Sequence, residues 1–259
     1  ADRMLAKGFL EDIQAIKKKL PRRHQTLFFS ATIDKEIKKL AFSQVKTSAI
    51  RIQISPDDPV SKNVTHWMMK MAMEDKRFYL RRFVRDHEDA RIMVFVRTKV
   101  RVERVAKALA RSSIPCKTIH GDKDQAQRNQ VMAGFKAGED NILIATDVSA
   151  RGIDIPDLDY VINYDLPENP ENYVHRVGRT GRGTRKGQAF SFCSPEEEHL
   201  LEKIQELLKK PIHLVPISQK EHAQIHVDPK DTAGLRDMIL AEEAAGDKKK
   251  RNRKKVKKG

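Results

Sequence analysis

Short apolar segments alternate with amphipathic segments along the central part of this sequence. Residues 92–96 form an almost continuously apolar run, which is typical of a strand that is buried on both faces of a sheet. The segment after Thr98 places Val102, Val105 and Leu109 at helical spacing on one face. Strands and helices that alternate with short loops predict an α/β fold with a parallel sheet and right-handed crossovers. Ligand-binding loops are then expected at the C-terminal ends of the strands.

Cap and turn residues indicate the limits of the other elements. Asp124 begins and Gly138 closes one predicted helix, and Ser194 and Pro211 bound another. Residues 55–59 are polar and rich in turn formers, so they indicate a linker. The other predicted strands are residues 25–29, 49–54, 64–72, 116–119, 142–145, 160–164 and 188–193. The predicted helices are residues 9–20, 76–87, 98–109, 124–137 and 195–210, and a further helix that ends near residue 43.

The charge balance favours a polyanionic partner. The 259 residues carry a formal net charge of +15, and nine of the Lys and Arg residues lie between positions 248 and 258. A basic arm of this kind binds polyanions through counterion release, although a merely solubilising role is an alternative. No stretch approaches the roughly 20 apolar residues that a membrane span needs, and no secretory signal is visible. A membrane partner is therefore not expected.

The two cysteines predict no metal site. Cys116 and Cys193 lie far apart in strand-like surroundings, and no Cys/His spacing is typical of zinc binding. They are interpreted as reduced core thiols of a cytoplasmic protein. Trp67, the only tryptophan, is interpreted as strand packing, with a base-stacking platform as the alternative.

The strongest chemical signal is the segment 175–182, which reads His-Arg-Val-Gly-Arg-Thr-Gly-Arg. Its glycines allow the backbone to turn tightly and to approach a ligand closely. Arginines at such a turn offer planar, permanently charged groups to phosphate oxygens. In phosphoryl transfer, arginines placed in this way stabilise the charge that develops on the transferred group.

This segment resembles motif VI of the DEAD-box RNA helicases of helicase superfamily 2. Further segments resemble other motifs of the family: residues 145–154 motif V, residues 120–128 motif IVa, residues 94–99 motif IV, and Ser30-Ala31-Thr32 motif III. Ala1-Asp2 resembles the second half of the D-E-A-D motif, so the sequence resembles a fragment that begins within that motif. The residues around 95–99 and 145–183 are most similar to the bacterial RhlE-like branch.

The resemblance implies a RecA-like domain organisation. Residues 1–55 are expected to be the C-terminal remnant of an N-terminal RecA-like, ATP-binding domain, and residues 56–62 the linker. Residues 63–216 are expected to form the C-terminal RecA-like helicase domain. Residues 217–259 are expected to be an extension with a polybasic, disordered tail.

The resemblance also implies the use of ATP and Mg²⁺. Arg179 and Arg182 resemble the two arginine fingers of the family, which reach the γ-phosphate across a cleft between domains. Asp154 resembles the motif V carboxylate that binds the ribose, although a helix or turn cap is the alternative. Gly152 of the same segment is also expected at the ATP site. Asp2 resembles the outer member of a Mg²⁺ site that is otherwise absent from this sequence, so no complete metal site is expected.

His175 has an implied coupling role. In the family it connects motif VI to the D-E-A-D aspartate and the S-A-T segment, which correspond here to Asp2, Ser30 and Thr32. An ordinary packed histidine is the alternative for His175.

The resemblance implies an RNA path over Thr98, Gly121, Gln125, Arg128 and Thr146. Small donors and backbone amides suit contacts to phosphate and 2′-hydroxyl oxygens, which carry little base information. RNA binding is therefore expected to be largely independent of sequence. Alternatives are helix caps for Thr98 and Thr146, and an ordinary exposed helix residue for Gln125.

One absence from the sequence limits the expected activity. No G-x-x-x-x-G-K-[ST] loop occurs in these 259 residues, so this chain alone is expected neither to hydrolyse ATP nor to unwind duplexes. The implied protein is an ATP-dependent RNA helicase, and its implied partners are RNA, an N-terminal RecA-like domain, and ribosome-assembly or RNA-decay proteins. The alternatives are a non-catalytic RNA clamp or chaperone and a DNA translocase.

Overall fold

The computed structural model describes residues 9–21, 23–29, 42–43, 45, 48–52, 63–150, 155, 158–181, 185–209 and 211–217. In these ranges the strands are β1 (Val64–Lys70), β2 (Ile92–Phe95), β3 (Lys117–Ile119), β4 (Ile142–Ala145), β5 (Tyr160–Asn163), β6 (Gly187–Cys193) and β7 (His213–Leu214). The helices are α1 (Leu10–Lys19), α2 (Lys76–Arg85), α3 (Lys99–Arg111), α4 (Gln125–Ala137), α5 (Pro170–Val177) and α6 (Glu198–Leu208), and a 3₁₀ turn (Pro195–Glu197) precedes α6.

The strands form one parallel sheet in the order β3-β4-β2-β5-β6-β1-β7. Because parallel neighbours cannot be joined by tight hairpins, the chain crosses over between strands, mostly through helices. The predicted α/β fold with a parallel sheet is therefore confirmed.

The central strands send alternate side chains to opposite faces of the sheet. On one face, Ile92 and Val94 pack in a core with side chains of α2 and α3. On the other face, Met93 and Phe95 pack against Phe135 of α4. A second cluster on this face joins β1 and β6 to α5 and α6. All four residues of β2 are buried, as the apolar run predicted.

The predicted capping residues set the limits of helices α3 and α4. The Thr98 hydroxyl accepts a hydrogen bond from the Arg101 backbone N–H and so caps α3. Asp124 and Gln127 form a capping box at the start of α4, and Gly138 ends that helix with a φ of 79°. Most strand and helix limits in residues 63–209 differ from the predicted ones by no more than two residues.

Helix α5 was missed because motif VI was interpreted as a turn. His175 and Arg176 lie in the last turn of this helix, and the chain leaves the helix at Gly178. The local signal was present in the sequence: Asn169 caps the helix by accepting from the Glu171 N–H, and Pro170 occupies the first turn. The short strand β7 was also missed.

Two predicted strands are wrong in the part of the chain that the structure describes. Residues 25–29 and 49–52 lie in no strand, and Phe29 and Ile50 are 78% and 89% exposed. Neither segment is hydrogen-bonded into the described sheet. The predicted helix before residue 42, the linker at residues 56–62 and the tail from residue 218 onwards fall outside the described residues. The domain limits stay predictions.

Candidate functional site

The C-terminal ends of β4, β2 and β5 lie side by side at one edge of the sheet. Phe95 at the end of β2 is in register with Ala145 of β4 and with Asn163 of β5. The residues that follow these strands therefore converge, and they include parts of the segments that resemble motifs IV and V. This is the edge at which parallel sheets bind ligands.

Arg176 joins the segments that resemble motifs V and VI. Its side chain is buried, with 1% exposure, and it donates two hydrogen bonds to the Asp147 carboxylate at 2.6 and 2.9 Å. It also donates to Asn163 Oδ1 at 3.2 Å and to the Asp165 backbone oxygen at 2.7 Å. Its guanidinium lies over the Phe95 ring, 5.2 Å from the centroid. These four partners lie at the ends of β2 and β5 and in the loops after β4 and β5, and they hold the C-terminal end of α5 at the sheet edge.

The roles of Arg176 and Asp147 were missed from the sequence. The only available signal was that each lies within a recognised motif, next to a residue that was assigned a role. Nothing local showed that the two side chains meet, because 29 residues separate them.

Beside this ion pair is a small pocket at the sheet edge. Its volume is about 10 Å³, which is room for roughly one water molecule. The Arg179 side chain borders it, and Arg179 Nε donates to the His175 backbone oxygen at 3.3 Å. The pocket is lined by Phe95, Asp147, Ala150, Asn172, His175, Arg176 and Arg179. It is too small to enclose a nucleotide, so a ligand at this edge would need a second wall.

The segment after α5 is held close to the body of the domain. The Thr180 hydroxyl donates to the Leu158 backbone oxygen at 2.5 Å. Gly181 has a φ of 66°, and a Cβ placed on it would lie 2.6 Å from Val64 Cγ2. Glycine is therefore required at this position for both its backbone conformation and its small size.

A second group of predicted site residues lies on α3 and the loop after β3. Thr98 is exposed, and its hydroxyl is the cap of α3. Gly121 is exposed, and no heavy atom lies within 4 Å of a Cβ placed on it. The cap predicted as an alternative for Thr98 is confirmed, and it is compatible with a phosphate contact at the helix N-terminus.

The remaining residues that were predicted to line an RNA path connect α4 to the loop after β4. Gln125 is exposed and donates to Asn129 Oδ1 at 2.8 Å. Arg128 Nη2 donates to the Ser149 backbone oxygen at 3.4 Å. Thr146 is largely buried, and its hydroxyl lies 3.2 Å from the Ser149 hydroxyl. Thr146 therefore supports the loop, and its backbone oxygen accepts from the N–H groups of Ser149 and Ala150.

A buried ionic network lies beneath the loop that carries Thr98. The ammonium of Lys76 is fully buried and binds Glu197, and it lies 3.9 Å from Asp165. Glu197 also binds Arg97 at 3.0 Å, and Asp165 binds Arg101 at 3.2 Å. Burial lowers the pKa of Lys76, and the Glu197 carboxylate opposes this shift. The network fixes the ends of β2, β5 and β6 relative to one another.

The other predicted site residues are not in the described ranges. These are Asp2, Ser30, Thr32, Gly152, Asp154 and Arg182. Among the described residues, no group of three or more His, Cys, Asp or Glu side chains could hold a metal ion. None of the described helices is long and apolar enough to cross a membrane.

The parallel sheet, with basic side chains held at its C-terminal edge, defines a RecA-like domain. Residues 75–184 match the family model described as the helicase conserved C-terminal domain. The chain is 39% identical over 210 residues to the DEAD-box ATP-dependent RNA helicase CshA of Bacillus cereus, covering 81% of this chain and 40% of that protein. It is 38% identical over 221 residues to the ATP-dependent RNA helicase DbpA of Bacillus subtilis, covering 85% and 46%.

Solved structures agree with these sequence matches. The E. coli DEAD-box protein SrmB, bound to regulator of ribonuclease activity A, matches with a TM-score of 0.58 and 36% identity, over 61% of this chain and 93% of that chain. S. cerevisiae Dbp5 bound to RNA and ADP BeF3 matches with a TM-score of 0.74 and 29% identity, over 83% and 56%.

The chain belongs to the DEAD-box RNA helicase family. It spans about two fifths of the length of the CshA proteins that it matches. Assignment to the RhlE-like branch stays a prediction.

Proposed function

We propose that this chain is the C-terminal RecA-like part of an ATP-dependent RNA helicase that couples ATP hydrolysis to RNA duplex unwinding or to remodelling of RNA–protein complexes. The observation that carries the proposal is the placement of Arg179 and His175 at a pocket on the sheet edge, where Arg176 and Asp147 hold the end of α5. Guanidinium groups fixed at such an edge suit the negative charge of a phosphoryl group.

The nucleotide is proposed to lie between this edge and a second domain. The pocket beside Arg179 is too small to hold ATP alone, so another domain would supply the phosphate cradle. Arg179 and Arg182 would act as fingers on the γ-phosphate, and Asp154 with Gly152 would bind the ribose. The guanidinium groups at this edge fit phosphate oxygens rather than a metal ion, and Asp2 is the residue assigned to Mg²⁺. Bound Mg²⁺ neutralises charge on the phosphate oxygens.

RNA is proposed to follow the exposed residues Thr98, Gly121 and Gln125, with Arg128 and Thr146 shaping the loops behind them. A helix N-terminus and an open glycine loop recognise the phosphate backbone rather than the bases. Binding is thus proposed to be largely independent of sequence. We also propose a cytoplasmic location, and ribosome-assembly or RNA-decay proteins as the class of protein partner.

An ATPase assay tests the enzymatic proposal. The 259-residue chain alone is proposed to be inactive because its sequence contains no phosphate-binding G-x-x-x-x-G-K-[ST] loop. Phosphate release would be measured with RNA, with and without an N-terminal RecA-like domain that carries this loop. We expect turnover only with the added domain, and an Arg179→Ala chain should lower it by orders of magnitude. Robust turnover by the chain alone would contradict the proposed division of labour.

A non-catalytic RNA clamp or chaperone is the second candidate function. The observation that favours it is the exposure of Thr98, Gly121 and Gln125, three residues that belong to this chain and lie away from the pocket beside Arg179. RNA affinity would be measured with the added N-terminal domain, in the presence and absence of ATP. Tighter binding with ATP supports the helicase, whereas an RNA affinity that is the same with and without ATP supports the clamp.

A further inference from the structure

Glu103 connects helix α3 to the loop after β3. One oxygen of its carboxylate, Oε1, accepts a hydrogen bond from the Thr118 hydroxyl at 2.8 Å and lies 2.9 Å from His120 Nε2. Thr118 belongs to β3, and His120 is the first residue of the loop that carries Gly121. None of the motif resemblances includes Glu103.

The contact with Glu103 determines which nitrogen of His120 carries the proton. A carboxylate oxygen accepts, so Nε2 of His120 must donate to it. In the neutral ring Nδ1 is then an acceptor, and it receives the Asp122 backbone N–H at 3.4 Å. The imidazole thus links the Glu103 carboxylate to the backbone of the loop through one hydrogen bond at each ring nitrogen.

A second contact from α3 holds the same loop. The Lys99 ammonium lies 2.7 Å from the Asp122 carboxylate. Lys99 and Glu103 are four residues apart, so they lie on the same face of α3. Thr98 caps that helix, and α3 therefore links the two exposed places that the proposed RNA path crosses, its own N-terminus and the loop at Gly121.

The carboxylate of Glu103 stays charged in this environment. Burial raises its pKa, but hydrogen bonds from Thr118 and His120, together with the nearby charge of Lys123, outweigh burial and hold the pKa below its ordinary value. His120 is itself largely buried. The acceptor that fixes the imidazole is therefore present at neutral pH.

We propose that Glu103 is a positioning residue for RNA binding, which acts through His120 to hold the loop of residues 120–124 in the conformation that opens Gly121 to the RNA backbone. The inference rests on the proposed RNA path. Gly121 has no heavy atom within 4 Å of a Cβ position, so its outer side is open to a polymer. Glu103 itself need not touch RNA.

Simple electrostatics and the positioning role predict opposite effects of removing this carboxylate. Loss of a negative charge from an RNA-binding protein should strengthen binding to a polyanion. Loss of the acceptor should instead free the His120 ring and the loop. We expect Glu103→Ala to weaken RNA binding about threefold to tenfold, since the lost acceptor is partly exposed. Glu103→Gln keeps an acceptor oxygen without the charge and should recover most of the affinity.

The experiment measures the affinity of the 259-residue chain, with the added N-terminal domain and ATP, for a fluorescent single-stranded RNA by anisotropy. The salt concentration is fixed at a value at which binding through the basic arm of residues 248–258 is weak. Glu202→Ala, an exposed position on α6, gives the same charge change away from the loop and should bind at least as tightly as the unchanged chain. Thermal denaturation shows whether each variant is folded. Nitrogen NMR of His120 should report the Nε2–H tautomer in the unchanged and Glu103→Gln chains, and a mixture in Glu103→Ala.

The outcomes separate the two proposals. If the unchanged chain binds no RNA, the proposed RNA path is wrong. If the unchanged chain binds and Glu103→Ala binds equally well or more tightly, the path stands and the positioning role is wrong. Failure of Glu103→Gln to recover affinity, with the variant folded, also overturns the positioning role.

Discussion

Nε and Nη2 of Arg176 donate to the two oxygens of Asp147, at 2.6 and 2.9 Å. Arg176 lies in the last turn of helix α5, and Asp147 follows strand β4, so the contact joins the two segments that carry the strongest family resemblance. Because the planar guanidinium also reaches Asn163 and the Asp165 backbone, its orientation is fully determined. Because this contact holds the end of α5, it also positions His175 and Arg179 at the pocket.

The contribution of the planar Arg176 guanidinium to stability can be tested with the variant Arg176→Lys. Lysine keeps the positive charge but cannot make the paired hydrogen bonds, and it leaves buried acceptors without donors. We expect the free energy of unfolding to fall by about 2 to 4 kcal/mol, measured by urea denaturation. Arg82→Lys is the matched control, since its pair with Asp86 is exposed, and it should cost less than about 0.5 kcal/mol. Similar losses for both variants would contradict a special role of Arg176.

Two glycines of motif VI should respond differently to alanine. Gly181 has a φ of 66°, and its Cβ would lie 2.6 Å from Val64 Cγ2, whereas Gly178 has a φ of −67° and its Cβ would lie 3.1 Å from the Val174 oxygen. We expect Gly181→Ala to lower the free energy of unfolding by about 2 kcal/mol or more, and Gly178→Ala by less than about 1 kcal/mol. Guanidinium denaturation of both variants measures the difference, and equal stabilities would show that the turn at Gly181 can relax.

Glu103 should contribute to stability in a way that depends on pH. Its pKa in the folded chain is lowered, because the hydrogen bonds from Thr118 and His120 outweigh the effect of burial. The stabilisation is therefore present above the pKa of the unfolded chain and is lost as the pH falls through the folded pKa. The free energy of unfolding of the unchanged chain should exceed that of Glu103→Gln by less than about 1 kcal/mol at pH 7, since the Glu103 side chain is 44% exposed.

This advantage should disappear between about pH 5 and pH 3. Urea denaturation of the two chains across this range measures it. If the difference between the two free energies of unfolding grew as the pH fell through this range, the pKa of Glu103 would be raised rather than lowered by folding. That result would contradict the assigned hydrogen bonds.

Both cysteines should react slowly in the folded chain. Burial raises the pKa of the Cys116 and Cys193 thiols to about 11. At pH 8 the thiolate fraction is then roughly 0.1%, against roughly a quarter for a free cysteine. We expect an aromatic disulfide reagent to react at least about 100-fold more slowly with the native chain than with the chain in guanidinium. Rapid native reaction of either thiol would contradict its burial.

Local patterns predicted much of the fold of residues 63–209. The apolar run at residues 92–96, the Thr98 cap and the Asp124–Gly138 pair each act through neighbouring residues, so sequence spacing was enough to place them. The strand at residues 25–29 was predicted by the same reasoning and is wrong, because a strand also needs a partner for its backbone, which the pattern cannot provide. Helix α5 was missed although its Asn169-Pro170 start is local, because the glycines at its end favoured the interpretation as a turn.

By itself, the sequence determined the parallel α/β architecture, the capped helix ends and the set of motif residues, since these depend on propensities and contacts within a few positions. Only the tertiary structure decided the order of the strands and the meetings of Arg176 with Asp147 and of Glu103 with His120. Those partners lie on different elements, and a hydrogen bond between them exists only once the whole sheet has brought the elements together.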